Sequence, residues 1–277
     1  QRRESRRGQM SGSTPSIPGQ VRACLQQGPF ARYMAGEAVS MTGTWMQMMA
    51  QSWVMTSLTT SAAMMGMVSF ASGIPMLALS LSGGTAADRY DRRNILLATQ
   101  VAQIALALLV GFLVATDRIE IWHIVGVAFL LGISAAFEFP AVTALVPELV
   151  APHQIATAIA IDRSVFHGTR LIGPAVAGYV IGLLGTATAF FVNALSFVAL
   201  IAALFSLPRA KTLPRRSESG EESGGIREGF TYVRRDRPTL SMVALMSLAT
   251  VFVFPVLVVM LPLYARQELH LGPDKMG

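Results

Sequence analysis

Charge is scarce in this chain: only 14% of its 277 residues are Asp, Glu, Lys or Arg, whereas water-soluble domains carry about 25%. Cysteine is scarcer still. The single Cys24 excludes any intramolecular disulfide, and it reads as a bland residue of an N-terminal tail. The four histidines, His123, His153, His167 and His270, are scattered, and no HExxH, paired CxxC, GxSxG or Walker-type loop occurs. The sequence therefore carries no enzyme or metal-site constellation and implies no cofactor. No lysine lies inside any apolar run, so a seven-helix retinal pigment would lack the amine for its Schiff base.

What the chain has instead is apolar length. Hydrophobic residues make up 52% and the mean hydropathy is +0.51. The excess falls into seven runs: Phe30 to Leu58, Ala62 to Ala87, Ile95 to Ala115, Ile121 to Val146, Ile155 to Leu184, Ala187 to Leu207 and Leu240 to Tyr264. Each is long enough to cross hydrocarbon, which takes roughly 20 residues of helix. The expected class is an all-α integral membrane protein with the lipid bilayer as its solvent.

A net charge of +6 invites a nucleic-acid reading, which the positions of the basic residues disfavour. Seventeen of the 22 Lys and Arg fall on one side if the runs alternate: in the first 32 residues, between the second and third runs, and between Leu207 and Leu240. This is the positive-inside pattern, and it places a multi-pass chain in the cytoplasmic membrane with its N-terminus inside. The expected organisation is a basic cytoplasmic tail over 1–29, a six-helix transmembrane bundle over 30–207, a cytoplasmic linker over 208–239 and a seventh span over 240–277. The tail is rich in Ser, Gly and Pro, but the run after it is far longer than a signal-peptide core, so it reads as a retained first helix. Within the linker, Ile226 to Arg235 has the composition of a short amphipathic helix on the inner surface.

The polar residues inside the runs are the functional candidates, because burying them in lipid is costly. At 100° per residue, Glu37, Met41, Thr44, Met48, Gln51 and Met55 fall within about 80° of one another. Such a stripe suits either helix packing or the wall of a water-filled path. Glu138 lies about 8 residues, or roughly 12 Å of helix rise, from the inner end of the fourth run. Glu37, Glu138 and Asp162 are the candidate proton carriers. Arg163, His167, Arg170 and Pro174 share one face of the fifth run, either as an ion-pair network with Asp162 and Glu138 or as contacts to an anionic substrate group. Asn193 fits an interhelical hydrogen bond or a ligand contact. Gly173-Pro174 permits a kink or a close helix crossing. Gly83-Gly84 reads as the closest-packing point of the second run.

Between the second and third runs, five charges crowd into six residues, Asp88 to Arg93, more than a turn needs. The pattern Gly84-xxx-Asp88-Arg89-x-Asp91-Arg92-Arg93 resembles the loop signature of the major facilitator superfamily, with Asp91 where that signature has glycine. Asp tolerates left-handed backbone, so the turn is expected to be kept. A narrower resemblance, to transmembrane-secretion-effector and enterobactin-exporter-like proteins, rests on Gly43-Thr44-Trp45-Met46-Gln47, on Gly168 to Gly178 and on Phe191 to Phe197. This chain departs from that branch at Val142-Thr143, Asp162 and His167, which leaves Glu138 to pair with Arg163 or Arg170.

The resemblance implies a twelve-helix transporter of two six-helix halves, of which this chain holds the first half, the linker and one helix of the second. It implies a conformational latch at Gly84, Asp88, Arg89, Asp91, Arg92 and Arg93, and an exporter-type element at Gly173, Pro174 and Gly178. The partners so implied are a small-molecule substrate, protons, lipid and the missing second half, with no nucleic acid. The expected function is proton-coupled export of a small amphipathic molecule. The alternatives left open are a non-transporting half-transporter and a nutrient uptake carrier.

Overall fold

The computed structural model describes residues 17–207, 234–252 and 264. It is all-helical over these residues. The principal helices are α1 (Ile17–Leu25), α2 (Gly28–Leu58), α3 (Ala62–Arg89), α4 (Arg92–Ala115), α5 (Ile121–Glu148), α6 (Ile155–Leu184), α7 (Thr186–Phe205) and α8 (Arg237–Phe252), with a 3-10 turn, Pro152–Gln154, before α6. The first six apolar runs thus appear as α2 to α7. The seventh is described only where α8 overlaps it and at Tyr264, and residues 208 to 233, with nearly all of the amphipathic stretch, lie outside the described residues.

Local chemistry sets the ends. Pro29 opens α2, where its missing N–H costs nothing. Glu120 and His123 form a reciprocal capping box at the start of α5. Gly185 ends α6 with φ +85, a conformation that glycine adopts without strain. The left-handed Asp is Asp117 in the α4–α5 link, at φ 53.

Among the described residues, four helices, α3, α4, α5 and α7, are long and apolar enough to cross a membrane. The helices α2 and α6 have the length, at 31 and 30 residues, but carry the polar stripes. Many large apolar side chains point outward, among them Leu77 at 81% exposure, Leu171 at 80% and Leu195 at 70%. In water that surface would drive association; against lipid tails it is the expected exterior.

Small residues set how closely the helices approach. The broadest contact is α3 on α5, where Gly83 faces the Ala136 backbone and Gly132 faces Ser72 and Pro75. Next comes α2 on α7, where Gly36 faces Ala203 and Leu200, and Gly43 faces Asn193 and Ser196. On α6, Gly173 packs on Trp45 and Thr42 of α2, so Gly173-Pro174 serves a close crossing inside a continuous helix.

Within the stretch read as a tail, α1 packs on α2 and α6. Cys24 is fully buried there, its Sγ 3.9 Å from the Gln154 carbonyl, in a cluster with Phe30, Tyr33 and Ala158. Gln27 donates to the Gln154 side chain, and Thr157 donates to Gln20 at 3.2 Å. Cys24 is therefore a packing residue rather than a bland one, and burial pushes its thiol pKa up.

Candidate transport cavity

The helices α2, α3, α5 and α6, with side chains from α4 and α7, surround a cavity of about 380 Å³. The whole α2 stripe lines it: Glu37, Met41, Thr44, Met48, Gln51 and Met55. Glu138 of α5 and Asp162 of α6 open onto the same space, so the three carboxylates chosen from sequence meet at one cavity. Helical periodicity explains the α2 contribution, since positions three and four apart stack on one face. The α5 and α6 contributions follow only from how those helices pack.

Each carboxylate has a different setting. Glu138 accepts from Gln100 Nε2 at 2.7 Å and from Gln103 Nε2 at 2.5 Å, both on α4. This corrects the expectation that Arg163 or Arg170 would balance it. Asp162 is 7% exposed and pairs with Arg163, whose Nε lies 3.2 Å from Oδ2 while its side chain is half exposed. Arg170 lies 5.3 Å over the Trp45 ring. Glu37 is 5% exposed and makes no ion pair among the described residues.

Gln100 and Gln103 were missed as site residues, though two amides one helical turn apart in an apolar run were a legible signal. Gln47 was missed too. It accepts from Asn193 Nδ2 at 2.7 Å, and Ser196 donates to Asn193 Oδ1 at 2.9 Å, in a fully buried tie between α2 and α7. Asn193 touches the cavity but is committed to this tie, as the interhelical reading has it. His167 and Arg170 lie on the exposed side of α6, off the cavity. His167 meets Phe166 edge-on at 5.4 Å, and Phe166 meets Trp45 at 5.6 Å. The α6 face expected as one unit is thus divided, with Arg163 at the cavity and His167 and Arg170 beyond it.

The charged loop is divided as well. Asp91 caps α4, its Oδ1 accepting from Arg93 N at 2.9 Å with φ −62. The left-handed turn expected there is absent, because the side chain caps the helix from extended backbone. Arg92 pairs with Glu148 at the end of α5 and donates to the Ala87 carbonyl at 3.2 Å. Arg93 donates to the Phe205 and Leu207 carbonyls at 3.3 and 3.4 Å and lies 5.3 Å from the Phe205 ring centre. Asp88 and Arg89 are exposed and make no ion pair among the described residues. Gly84 faces open space, so Gly83 alone is the packing glycine of the pair. Farther along the chain, Gly178 is buried on α6.

Among the described residues no three His, Cys, Asp or Glu side chains approach closely enough to hold a metal ion. A membrane helix bundle with a thioether-lined, carboxylate-bearing cavity suits a carrier, and comparison with known proteins decides the family. Residues 21–277 match the family model described as transmembrane secretion effector. The chain belongs to the transmembrane secretion effector family.

This family lies within the major facilitator superfamily, and the relatives found are membrane transporters rather than enzymes. The chain is 29% identical to the staphyloferrin A transporter of Staphylococcus aureus, over 60% of this chain and 42% of that protein. It is 25% identical to macrolide efflux protein A of Streptococcus pyogenes, over 81% of this chain and 55% of the relative. To the multidrug efflux pump Tap of Mycolicibacterium fortuitum it is 26% identical, over 86% and 60%. The secretion-effector chain thus spans about half the length of the relatives it matches.

Proposed function

We propose that this protein is a secondary active transporter that exports a small amphipathic molecule, drug-like or siderophore-like, across the cytoplasmic membrane while protons enter. The observation that carries the reading is the convergence of Glu37, Glu138 and Asp162 on one cavity of about 380 Å³ whose α2 wall is the polar and thioether stripe. Protonating a buried carboxylate removes a charge that is costly in a low-dielectric wall, and the two protonation states then favour different packings of the surrounding helices. That is the means by which a proton gradient biases access. Methionine side chains suit varied apolar guests because they are flexible and polarizable.

On this reading α2 to α7 form the first six-helix unit, with the N-terminus inside, 208–239 a cytoplasmic linker and α8 the start of the seventh span. A second half completes the path, since alternating access rocks one repeat against the other. The polar faces of α2 and α6 support it, because helices that line a wet cavity need not be apolar all round. In the loop, Arg92 and Arg93 are anchored within the bundle, which leaves Asp88 and Arg89 as the movable latch. The relatives named as efflux proteins support the direction.

The test uses the protein expressed from its complete reading frame in inverted vesicles. An imposed proton gradient should drive dye or drug uptake, and Glu138→Gln combined with Asp162→Asn should abolish the dependence on the gradient. Unchanged proton-driven uptake in that double variant removes both carboxylates as carriers.

A further inference from the structure

Residues 17–36 carry two arginines, Arg22 and Arg32, and no Asp or Glu. Both arginines are exposed and make no ion pair among the described residues. We propose that the outer face of α1 is a docking surface for anionic lipid headgroups, and that these lipids hold α1 in its seat on the bundle. The inference stands apart from the transport cavity and from the direction of transport. It needs only a chain that crosses a membrane.

The helix has two faces. Gln20, Cys24 and Gln27 recur at helical spacing and turn inward: Cys24 Sγ meets the Gln154 carbonyl at 3.9 Å, Gln27 donates to the Gln154 side chain, and Gln20 accepts from Thr157. Pro18, Arg22, Leu25 and Gln26 point outward, Leu25 with 45% of its surface exposed. A cation beside a large apolar side chain fits the lipid–water boundary, where the leucine enters the acyl region and the guanidinium stays at headgroup level.

Position agrees with composition. The helix α1 ends just before Gly28 opens α2, and it packs against the start of α6, so it lies where both helices end. Arg32 is exposed in the first turns of α2. Acids near this end do not cancel the charge, since Glu37 is buried at the cavity wall and Glu148 is taken by Arg92. In sequence, Arg2, Arg3, Arg6 and Arg7 bring the first 32 residues to six arginines against one acid, Glu4. An anionic leaflet supplies the missing negative charge and favours each nearby arginine by about five-fold. A short helix held by a few side-chain contacts opens locally more readily than a long one, so that gain changes how often α1 lifts.

The buried thiol reports the lifting, because a maleimide reaches Cys24 only when α1 leaves its seat. The protein from its complete reading frame is placed in nanodiscs of phosphatidylcholine and in nanodiscs of an equal mixture with phosphatidylglycerol. Labelling of the Cys24 peptide by N-ethylmaleimide is followed by mass spectrometry. The parent is compared with the double variants Arg22→Gln/Arg32→Gln and Arg22→Lys/Arg32→Lys. The anionic surface also lowers thiol ionisation, an effect common to all three that cancels in the comparison. The expected slowing by phosphatidylglycerol is about 30-fold greater in the parent than in the glutamine variant, five-fold for each arginine, and the lysine variant keeps it. In phosphatidylcholine the three proteins label alike, which shows that the seat itself is intact. Equal slowing in the parent and the glutamine variant overturns the proposal. So does protection in phosphatidylcholine on adding inorganic phosphate, which would make the ligand a free anion rather than a membrane surface.

Discussion

Asp91 shows how a substituted glycine keeps a turn by other means. The superfamily signature that this loop resembles has glycine there, and this chain places a helix cap instead, with the side chain accepting from Arg93 N. Asp91→Ala should cost about 1 kcal/mol and Asp91→Gly only a few tenths, the usual ranking of N-caps. Thermal melting of the purified protein checks this, and a glycine variant more stable than the parent would contradict it. Glu138 is the second instructive residue. Sequence placed it in an apolar run and offered Arg163 or Arg170 as its partner, whereas the packing of α4 on α5 supplies two glutamines. Removing one donor, as in Gln103→Leu, should destabilise the protein by roughly 1.5–3 kcal/mol, the range for a hydrogen bond to a charged group. Cys24 is the third. Buried, with its thiol pKa pushed up, it holds less thiolate at any given pH than a free cysteine does. Maleimide labelling at neutral pH should be slow in the folded protein and fast after denaturation.

At the scale of elements, α2 to α7 were legible as long apolar runs, and their observed ends lie within a few residues of those runs. The helix α1 was not legible, being short, polar on one side and held by side-chain contacts to the α5–α6 link that no local pattern announces. Glycine spacing marked close approaches but did not say which glycine makes them. A Cβ on Gly83 would meet the Ala136 backbone, and one on Gly84 would meet nothing within 4 Å. Gly83→Ala should therefore destabilise by about 1–3 kcal/mol, as overpacking does, and Gly84→Ala should leave the melting temperature nearly unchanged. The α2–α7 tie through Gln47, Asn193 and Ser196 is a buried polar bridge of the kind worth ~0.6 kcal/mol on average in membrane helices, and ~1.7 at most.

At the scale of the whole molecule, the sequence's charge pattern and the structure's cavity converge on one account. The loop that marks the family anchors two helices through Arg92 and Arg93 and leaves Asp88 and Arg89 exposed. Asp88→Asn should then slow export by the complete protein without lowering its melting temperature, and wild-type efflux from that variant would count against the latch. Which residues form the path was only partly legible. A single helix displays its own stripe in its sequence, but the meeting of α2 with α5 and α6 is a property of the fold. The central claim, that this cavity is a water-accessible path opened in turn to each side, is tested most directly by thiol accessibility. Thr44→Cys, introduced into a Cys24→Ser background, is treated with a membrane-impermeant methanethiosulfonate in right-side-out and in inverted vesicles, with Leu195→Cys as the lipid-facing comparison. The account predicts that position 44 reacts from both sides, with the favoured side changing when the proton gradient is reversed, while position 195 stays unreactive. Position 44 unreactive from both sides, or reacting no faster than position 195, would contradict it.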